Sequence, residues 1–467
     1  MKDQKKNRRS FVKKITAGAV ASSMFPHIIS AKDQNSHSKV IPLKKHPKFS
    51  ANDKVRIGVI GSGIMGFSNC ATALKCPGVE LVGACDLYND RLLRMKELYG
   101  KDLYTTTKHE ELLDRNDIDA VIVATTDHWH DKITIEALNK GKHVYCEKPM
   151  VHKLEEGQAV IDAQQKTGKV LQIGSQRVSS IMHKKAAELY QEGKIGKLIM
   201  VETWNDRQSA LGAWQYSIPP NFSEKDIDWK RYLGDAPKVA FDPLRFFRWR
   251  NYQDYGTGVA GDLFVHLFSG LHVTLNSQGP ERIFATGGLR YWKDGRDVPD
   301  VIIGSYDYPE SPTHPAFNVQ MRVNFVDGSG GGSMLRLIGS EGVMTLGWNS
   351  ITITNSKMSE APGYGGWDTF STYSEETQKE FKEWYDAKYP PSKFKMQEPT
   401  ELVYKIPEGY SDHFDHHMSF FDGIRNNTPI VEDASFGLRA AGPALASNVS
   451  IFEKKIVNWD PNKMMMV

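Results

Sequence analysis

From Lys54 onward, continuous apolar runs alternate with stretches whose apolar residues recur at helical spacing. The runs "VRIGVIG", "VELVGACD", "DAVIVAT", "HVYCEKP" and "VLQIGSQ" have the length and apolar character of strands buried on both faces. Between them, "MGFSNCATALKC", "NDRLLRMKELYG", "HDKITIEALNKG" and "KLEEGQAVIDAQQKTG" read as helices. In the second of these, Leu92, Leu93, Met95 and Leu98 are apolar and Gly100 closes the last turn. Strand and helix alternating through short loops predict an α/β domain over residues 53–175, with a doubly wound parallel sheet covered on both faces.

Past about residue 178 the alternation stops. The runs "KLIMVETWN", "ERIFATGGLRYW", "DVIIGSYDYP", "FNVQMRVNFVDG", "GSMLRLIGSEGVMTLG" and "SITITNS" are separated by turn signals such as "DGSGGG". They predict a large, mainly antiparallel open sheet. "HHMSFFDGIRNN" and "EDASFGLRAAGPALASNVSIFEKK" predict the helices that close it, so residues 176–467 are expected to form an α+β domain.

The chain before Lys54 follows neither pattern. "MKDQKKNRRSFVKK" is basic, "ITAGAVASSMF" is apolar but too short to span a bilayer, and "PHIISAKD" follows. That order predicts an export signal over residues 1–31, removed from the mature protein. Arg8 and Arg9, followed by Ser10, Phe11 and Lys13, resemble the twin-arginine type, with Asn7 where Ser or Thr is usual. The expected destination is the periplasm, by a route that carries proteins already folded. Residues 32–52, polar with two prolines, read as a linker.

Composition removes several function classes. The 467 residues are 40% apolar and 25% charged, as in soluble domains with substantial cores. A net charge of +3, much of it in the first 14 residues, supplies no basic surface for nucleic acid or an acidic membrane. Cys70, Cys76, Cys85 and Cys146 lack the paired spacing of a zinc site and are expected as small buried apolar residues. "DHFDHH", Asp412 to His417, carries ligand-type side chains, but a helix spreads them over several faces, and no metal site is expected.

Chemistry concentrates at four places. Gly61, Gly63 and Gly66 stand in the spacing GxGxxG between the first strand and its helix. Glycine there permits a tight turn and close backbone approach to a pyrophosphate at a helix N-terminus. Asp86, 20 residues past Gly66 at the end of the second strand, is placed to bond an adenosine ribose hydroxyl and repel a 2′-phosphate. Together they predict a Rossmann domain binding NAD in preference to NADP, with Ile64 and Met65 in the same loop. "ATTDHWH" closes the next strand, so Thr125, Thr126, Trp129 and His130 should face the cofactor across the carboxyl ends of the strands.

"EKP" follows another strand and brings Glu147 and Lys148 to the same edge, where Pro149 stops the strand. An amine there can hold a substrate hydroxyl as charge develops on its oxygen. In "GDLFVH", Asp262 and His266 are four residues apart, on one face of a helix. A histidine so placed is the usual proton acceptor from an alcohol.

These four stretches resemble the Gfo/Idh/MocA family of NAD(P)-dependent oxidoreductases, which act mainly on sugars and cyclitols. The resemblance runs from about residue 53 to the C-terminus. It implies that Lys148, Asp262 and His266 form the catalytic group and that Gln176 approaches the nicotinamide. It also implies that Arg177, Arg248, Trp249 and Tyr255 line the substrate cleft. Family members often carry a further Asp three residues past the histidine, where this chain has Ser269; that departure leaves the acid/base group intact and the substrate orientation open. The implied activity is hydride transfer from a secondary hydroxyl of a carbohydrate, a small-molecule substrate met in carbohydrate catabolism. A homo-oligomer paired through the open sheet face is implied as well.

An exported enzyme meets no free NAD pool, so the cofactor is expected to stay tightly bound. It is then either recycled by a second substrate or used transiently to eliminate a glycosidic bond, as in a redox-neutral glycosidase. Glycosidase-like relatives replace the EKP motif, so retention of Lys148 favours the oxidoreductase. A non-catalytic sugar-binding module is disfavoured by the intact Lys148, Asp262 and His266.

Overall fold

A computed structural model describes residues 37–43, 53–390 and 398–467. The expected export signal lies outside the described residues. The first described element, β1 (His37–Val40), falls inside the stretch expected to be a linker. It pairs in parallel with Leu402–Lys405, near the other end of the chain. No apolar run announced it, because an edge strand needs only its backbone groups satisfied.

Strands β2 (Val55–Ile60), β3 (Val79–Cys85), β4 (Tyr104–Thr106), β5 (Ala120–Val123), β6 (His143–Cys146) and β7 (Leu171–Ile173) form one parallel sheet. Their order is β4-β3-β2-β5-β6-β7, which reverses direction between β2 and β5. That reversal opens a crevice beyond the carboxyl ends of the two strands. Five of the six strands match the predicted runs; β4 is three residues long and carries no periodic signal. "DAVIVAT" is consequently the fourth strand of this sheet in chain order, and Ala120–Val123 is wholly buried, as its apolar run requires.

Both faces of this sheet are covered, with help from the far end of the chain. One layer packs Phe67, Cys70, Leu92 and Met95 together with Met418, Phe420 and Phe421 of the helix Asp412–Asn426. The other packs Ile133, Leu138, Val160 and Ile161 together with Ala434, Leu438 and Leu445 of the helix Ala434–Glu453. The four cysteines are buried and unpaired, the small core residues expected.

The second sheet contains β8 (Leu198–Asp206), β9 (Arg282–Gly288), β10 (Val301–Tyr308), β11 (Phe317–Asn324), β12 (Gly332–Gly339), β13 (Gly342–Leu346), β14 (Ser350–Asn355), β15 (Thr400–Lys405), β16 (Val457–Asp460) and β17 (Met465–Met466), with β1 at one edge. Its order is β1-β15-β14-β13-β12-β8-β11-β10-β9-β16-β17. Pairing is antiparallel except between β8 and β11 and between β1 and β15. This is the large, mainly antiparallel sheet that the longer apolar runs predict. β11 alternates buried and exposed positions along its length, the mark of a sheet with one packed and one open face. Ile199, Phe284 and Ile303 are exposed on it.

A smaller core gathers around Leu87 and Tyr88, just past the end of β3. Ile227, Trp229, Tyr232, Leu233, Phe246, Tyr252 and Tyr255 bury one another and gather Tyr88, Phe222 and Phe247 around them. Among the described residues no helix is long and apolar enough to cross a membrane.

Candidate active site

The glycine loop is fixed by contact. Gly61 has φ +91°, and a Cβ there would lie 2.5 Å from the Ala124 carbonyl oxygen at the end of β5. A Cβ on Gly66 would lie 1.9 Å from the Gly61 carbonyl oxygen, so loop and helix touch backbone to backbone. Gly63 is different: a Cβ there meets only the Arg91 guanidinium, at 4.0 Å. The N-terminus of the helix Ile64–Ala73, capped by no side chain, therefore faces open space. Asp86 is buried at the tip of β3 and accepts the Ser62 N–H at 2.7 Å and the Tyr88 N–H at 2.9 Å. These residues fit a dinucleotide, with donors for a pyrophosphate at the loop and a carboxylate for a ribose hydroxyl beside it.

The crevice encloses roughly 1080 Å³, counting the part open to solvent. Gly61, Gly63, Ile64, Met65, Asp86, Thr125, Thr126, Trp129, His130, Glu147 and Lys148 all line it. Two of them are held from behind. Glu147 accepts the Asn69 amide at 2.8 Å, and His130 Nδ1 sits 2.7 Å from the Pro149 carbonyl oxygen. The Lys148–Pro149 peptide is cis.

Of the opposite wall, only Trp249 was legible in the sequence. That wall is built by Tyr216, Arg231, Tyr232, Phe246, Phe247, Trp249 and Arg250. This segment is strapped to the Rossmann domain. Arg231 donates to both Glu110 oxygens at 3.0 and 2.9 Å, and Lys132 pairs with Asp235 at 2.6 Å. The Trp129 indole N–H donates to the Tyr232 carbonyl at 3.0 Å, and Tyr88 bridges to Ile227. Beside Asp86, the Arg91 guanidinium stacks 5.0 Å from the Phe246 ring and 5.5 Å from Phe247.

Lys148 meets Asp262 across the domain boundary. Its ammonium donates to the Asp262 carboxylate at 2.8 Å and to the Asp262 backbone carbonyl at 2.9 Å. Arg250 Nε donates to the same carboxylate oxygen at 3.1 Å. Burial pushes the Asp262 carboxyl upward, but Lys148 and Arg250 outweigh it and hold it well below the usual carboxylate range. Asp262 lies in a π-helical turn, Ala260–Phe264, that runs into the α-helix Val265–Leu275, rather than in the regular helix expected.

His266 borders a second, narrower cleft on the large-sheet side, shared with Arg177, His183, Thr203, Ser333 and Trp348. Burial, then the positive fields of Lys148 and Arg177, push its imidazole well below the ordinary value, so it is neutral. Lys148 thus lines the crevice and His266 the cleft beside it, near enough for the charge of Lys148 to act on His266.

Three expected positions are corrected. Gln176 is buried, its amide donates to the Tyr145 hydroxyl at 3.2 Å, and it lines neither cleft. Tyr255 is fully buried in the aromatic core, where Arg245 donates to its hydroxyl at 3.3 Å. Arg248 is taken up by Gln215 and by the Tyr216 carbonyl, at 3.0 Å from the latter. Trp249 lines the dinucleotide crevice, and its neighbour Arg250 reaches the reaction group. The helix Asp412–Asn426 carries "DHFDHH" as expected: His416 bonds the Ile173 carbonyl at 2.8 Å and His417 stacks on Tyr145. Among the described residues no group of His, Cys, Asp or Glu could hold a metal ion.

The model of the oxidoreductase family GFO_IDH_MocA, NAD-binding Rossmann fold, matches residues 55–175. Across that stretch the chain is similar to a Gfo/Idh/MocA dinucleotide-binding domain. Inositol 2-dehydrogenase of Salmonella typhimurium (strain LT2) is 30% identical over 149 residues, which is 32% of this chain and 44% of that protein. A glycosyl hydrolase family 109 protein of Shewanella baltica (strain OS185) is 36% identical over 178 residues, 35% of this chain and 38% of that protein. The chain spans less than half the length of these curated relatives. The likeness in fold extends further than the likeness in sequence. A levoglucosan dehydrogenase solved with NADH and levoglucosan superposes with a TM-score of 0.59 at 17% identity, over 87% of this chain and 99% of that one. A Rossmann domain followed by a large open sheet is therefore a known fold.

Proposed function

We propose that this protein is an NAD-dependent oxidoreductase that removes a hydride from a secondary hydroxyl carbon of a carbohydrate. The observation that carries this reading is the Lys148–Asp262 pair, 2.8 Å long, at the carboxyl edge of the dinucleotide crevice with neutral His266 four residues on. A bound nicotinamide would supply the hydride acceptor. The substrate hydroxyl sits between Lys148 and His266. His266 takes its proton, while the Lys148 ammonium hydrogen-bonds the oxygen as negative charge grows on it. Asp262 keeps that ammonium aimed. The relatives named for inositol and levoglucosan oxidation support a polyhydroxylated substrate. Asp86 at the ribose position supports NAD over NADP. Export by the twin-arginine route to the periplasm, and pairing of copies through the open sheet face, belong to the same proposal.

The deciding experiment incubates the purified protein, without added NAD, with free sugars and with aryl glycosides. Net absorbance of reduced nicotinamide supports the oxidoreductase. Release of aglycone with no net reduced cofactor replaces it with a redox-neutral glycosidase, the alternative at which the likeness to a family 109 hydrolase hints.

Two outcomes follow from the geometry. The general base must be neutral, and His266 is held below the ordinary imidazole value of 6.5. The acid limb of the kcat/KM profile is therefore expected below pH 6.5, with full activity retained through that value. The second outcome concerns retention. With the strap closed over the crevice, NAD is expected to co-purify with the protein. Arg231→Ala, which breaks both bonds to Glu110, is expected to shed NAD on gel filtration while thermal stability changes by only about 1 kcal/mol, as for a partly exposed ion pair.

A further inference from the structure

We propose that the carbohydrate substrate carries an oxyanion, a carboxylate or a phosphate, and that Arg177 receives it in the cleft shared with His266. This inference rests on the oxidation proposed above and narrows its substrate class.

Arg177 is set in the wall of that cleft, where its guanidinium makes no hydrogen bond or ion pair with the described residues. A desolvated cation without a partner is costly, and folded chains rarely keep one for packing alone. The acids nearby do not pair with it. Asp262 is held by Lys148 and Arg250, and Asp412 acts on Arg177 through its field, with no ion pair between the two. The other polar groups of the cleft are neutral: His266 is unprotonated, and the Thr203 hydroxyl donates to the Met334 carbonyl at 2.8 Å. Around the reaction group, Lys148, Arg250 and Arg207 all act on the single carboxylate of Asp262. The cluster therefore has positive charge to spare, and Arg177 is where it is unspent.

The guanidinium fork matches the paired oxygens of a carboxylate or phosphate. Because Arg177 and His266 share one cleft, the anion and the reacting hydroxyl belong to one small molecule. Trp348, 61% exposed at the same cleft, offers a ring face on which a sugar can lie.

The test uses the full chain loaded with NAD and matched sugars: glucose with glucuronate, galactose with galacturonate, and glucose 6-phosphate. Affinity is read by calorimetry and turnover by reduced-nicotinamide absorbance. An acidic member is expected to bind about 30-fold more tightly than its neutral partner, the scale of a charge-assisted hydrogen bond. The ratio is expected to fall toward one in Arg177→Gln and to be intermediate in Arg177→Lys, which keeps the charge and loses the fork. Trp348→Ala is expected to weaken both members of a pair alike and leave the ratio standing. Tighter binding of the sugar phosphate than of the uronates supports the inference with phosphate as the anion. Equal affinity within the pairs, a ratio unchanged in both Arg177 variants, or no binding of any acidic member overturns it. Oxidation of neutral sugars in those cases leaves the proposed activity in place. An acidic sugar bound through Arg177 but neither oxidised nor cleaved keeps this inference and removes the activity instead.

Discussion

Lys148→Ala is expected to bind NAD as the parent does and to lose about 10²–10³-fold in kcat, the cost of one preorganised donor to a developing oxyanion. The ammonium lies 2.8 Å from the Asp262 carboxylate and 2.9 Å from its backbone carbonyl, so its position is fixed before substrate arrives. Alanine removes the donor and leaves Asp262 with Arg250, 3.1 Å away, as its remaining bonded cation. The crevice is otherwise untouched, because Glu147 and Pro149 are held by Asn69 and His130. Single-turnover kinetics beside an NAD titration separate the two effects. Unchanged turnover with intact cofactor binding would remove Lys148 from the mechanism.

Gly66→Ala is expected to abolish NAD binding. The new methyl would stand 1.9 Å from the Gly61 carbonyl oxygen, and that neighbour is backbone, which cannot rotate aside. Loop and helix must separate, which spoils the cradle and costs about 1–3 kcal/mol of stability by overpacking. Gly63→Ala is the informative contrast. Its methyl meets only the end of Arg91 at 4.0 Å, so the fold is expected to stand, and any loss of affinity reports on the space over the helix N-terminus. Equilibrium dialysis with NAD and thermal melts of the two variants give both readings. Wild-type affinity in Gly66→Ala would mean that the loop does not serve the dinucleotide.

The residues legible in the sequence are those whose chemistry is tied to a local rule. Gly61 is readable because a turn demands glycine, Gly66 because loop and helix touch there, Gly63 from its spacing between them, and Asp86 because a strand of known length ends there. Lys148 is readable because Pro149 ends the strand just behind it. Illegible positions depend on contacts made far along the chain. In "RWRN", Arg248 and Arg250 are equivalent on paper, and only Gln215 and Asp262 decide which one faces the reaction group. Tyr255 looks like a cleft aromatic until Tyr232 and Phe246 close over it. The strap itself has no periodicity to betray it, since its aromatic residues bury one another in short turns rather than on one face of an element. β1 escaped for the opposite reason: it buries almost nothing and is held by backbone pairing.

The helices Asp412–Asn426 and Ala434–Glu453 have a consequence for how the molecule assembles. Each supplies apolar side chains to one of the two layers over the first sheet, whose strands end at Ile173. A nascent chain that has passed residue 175 therefore owns all its nucleotide-binding motifs but not the full cover of its own sheet. Cofactor capture is therefore expected late in biosynthesis, after the last helices dock, and the two sheets are expected to melt in a single calorimetric transition.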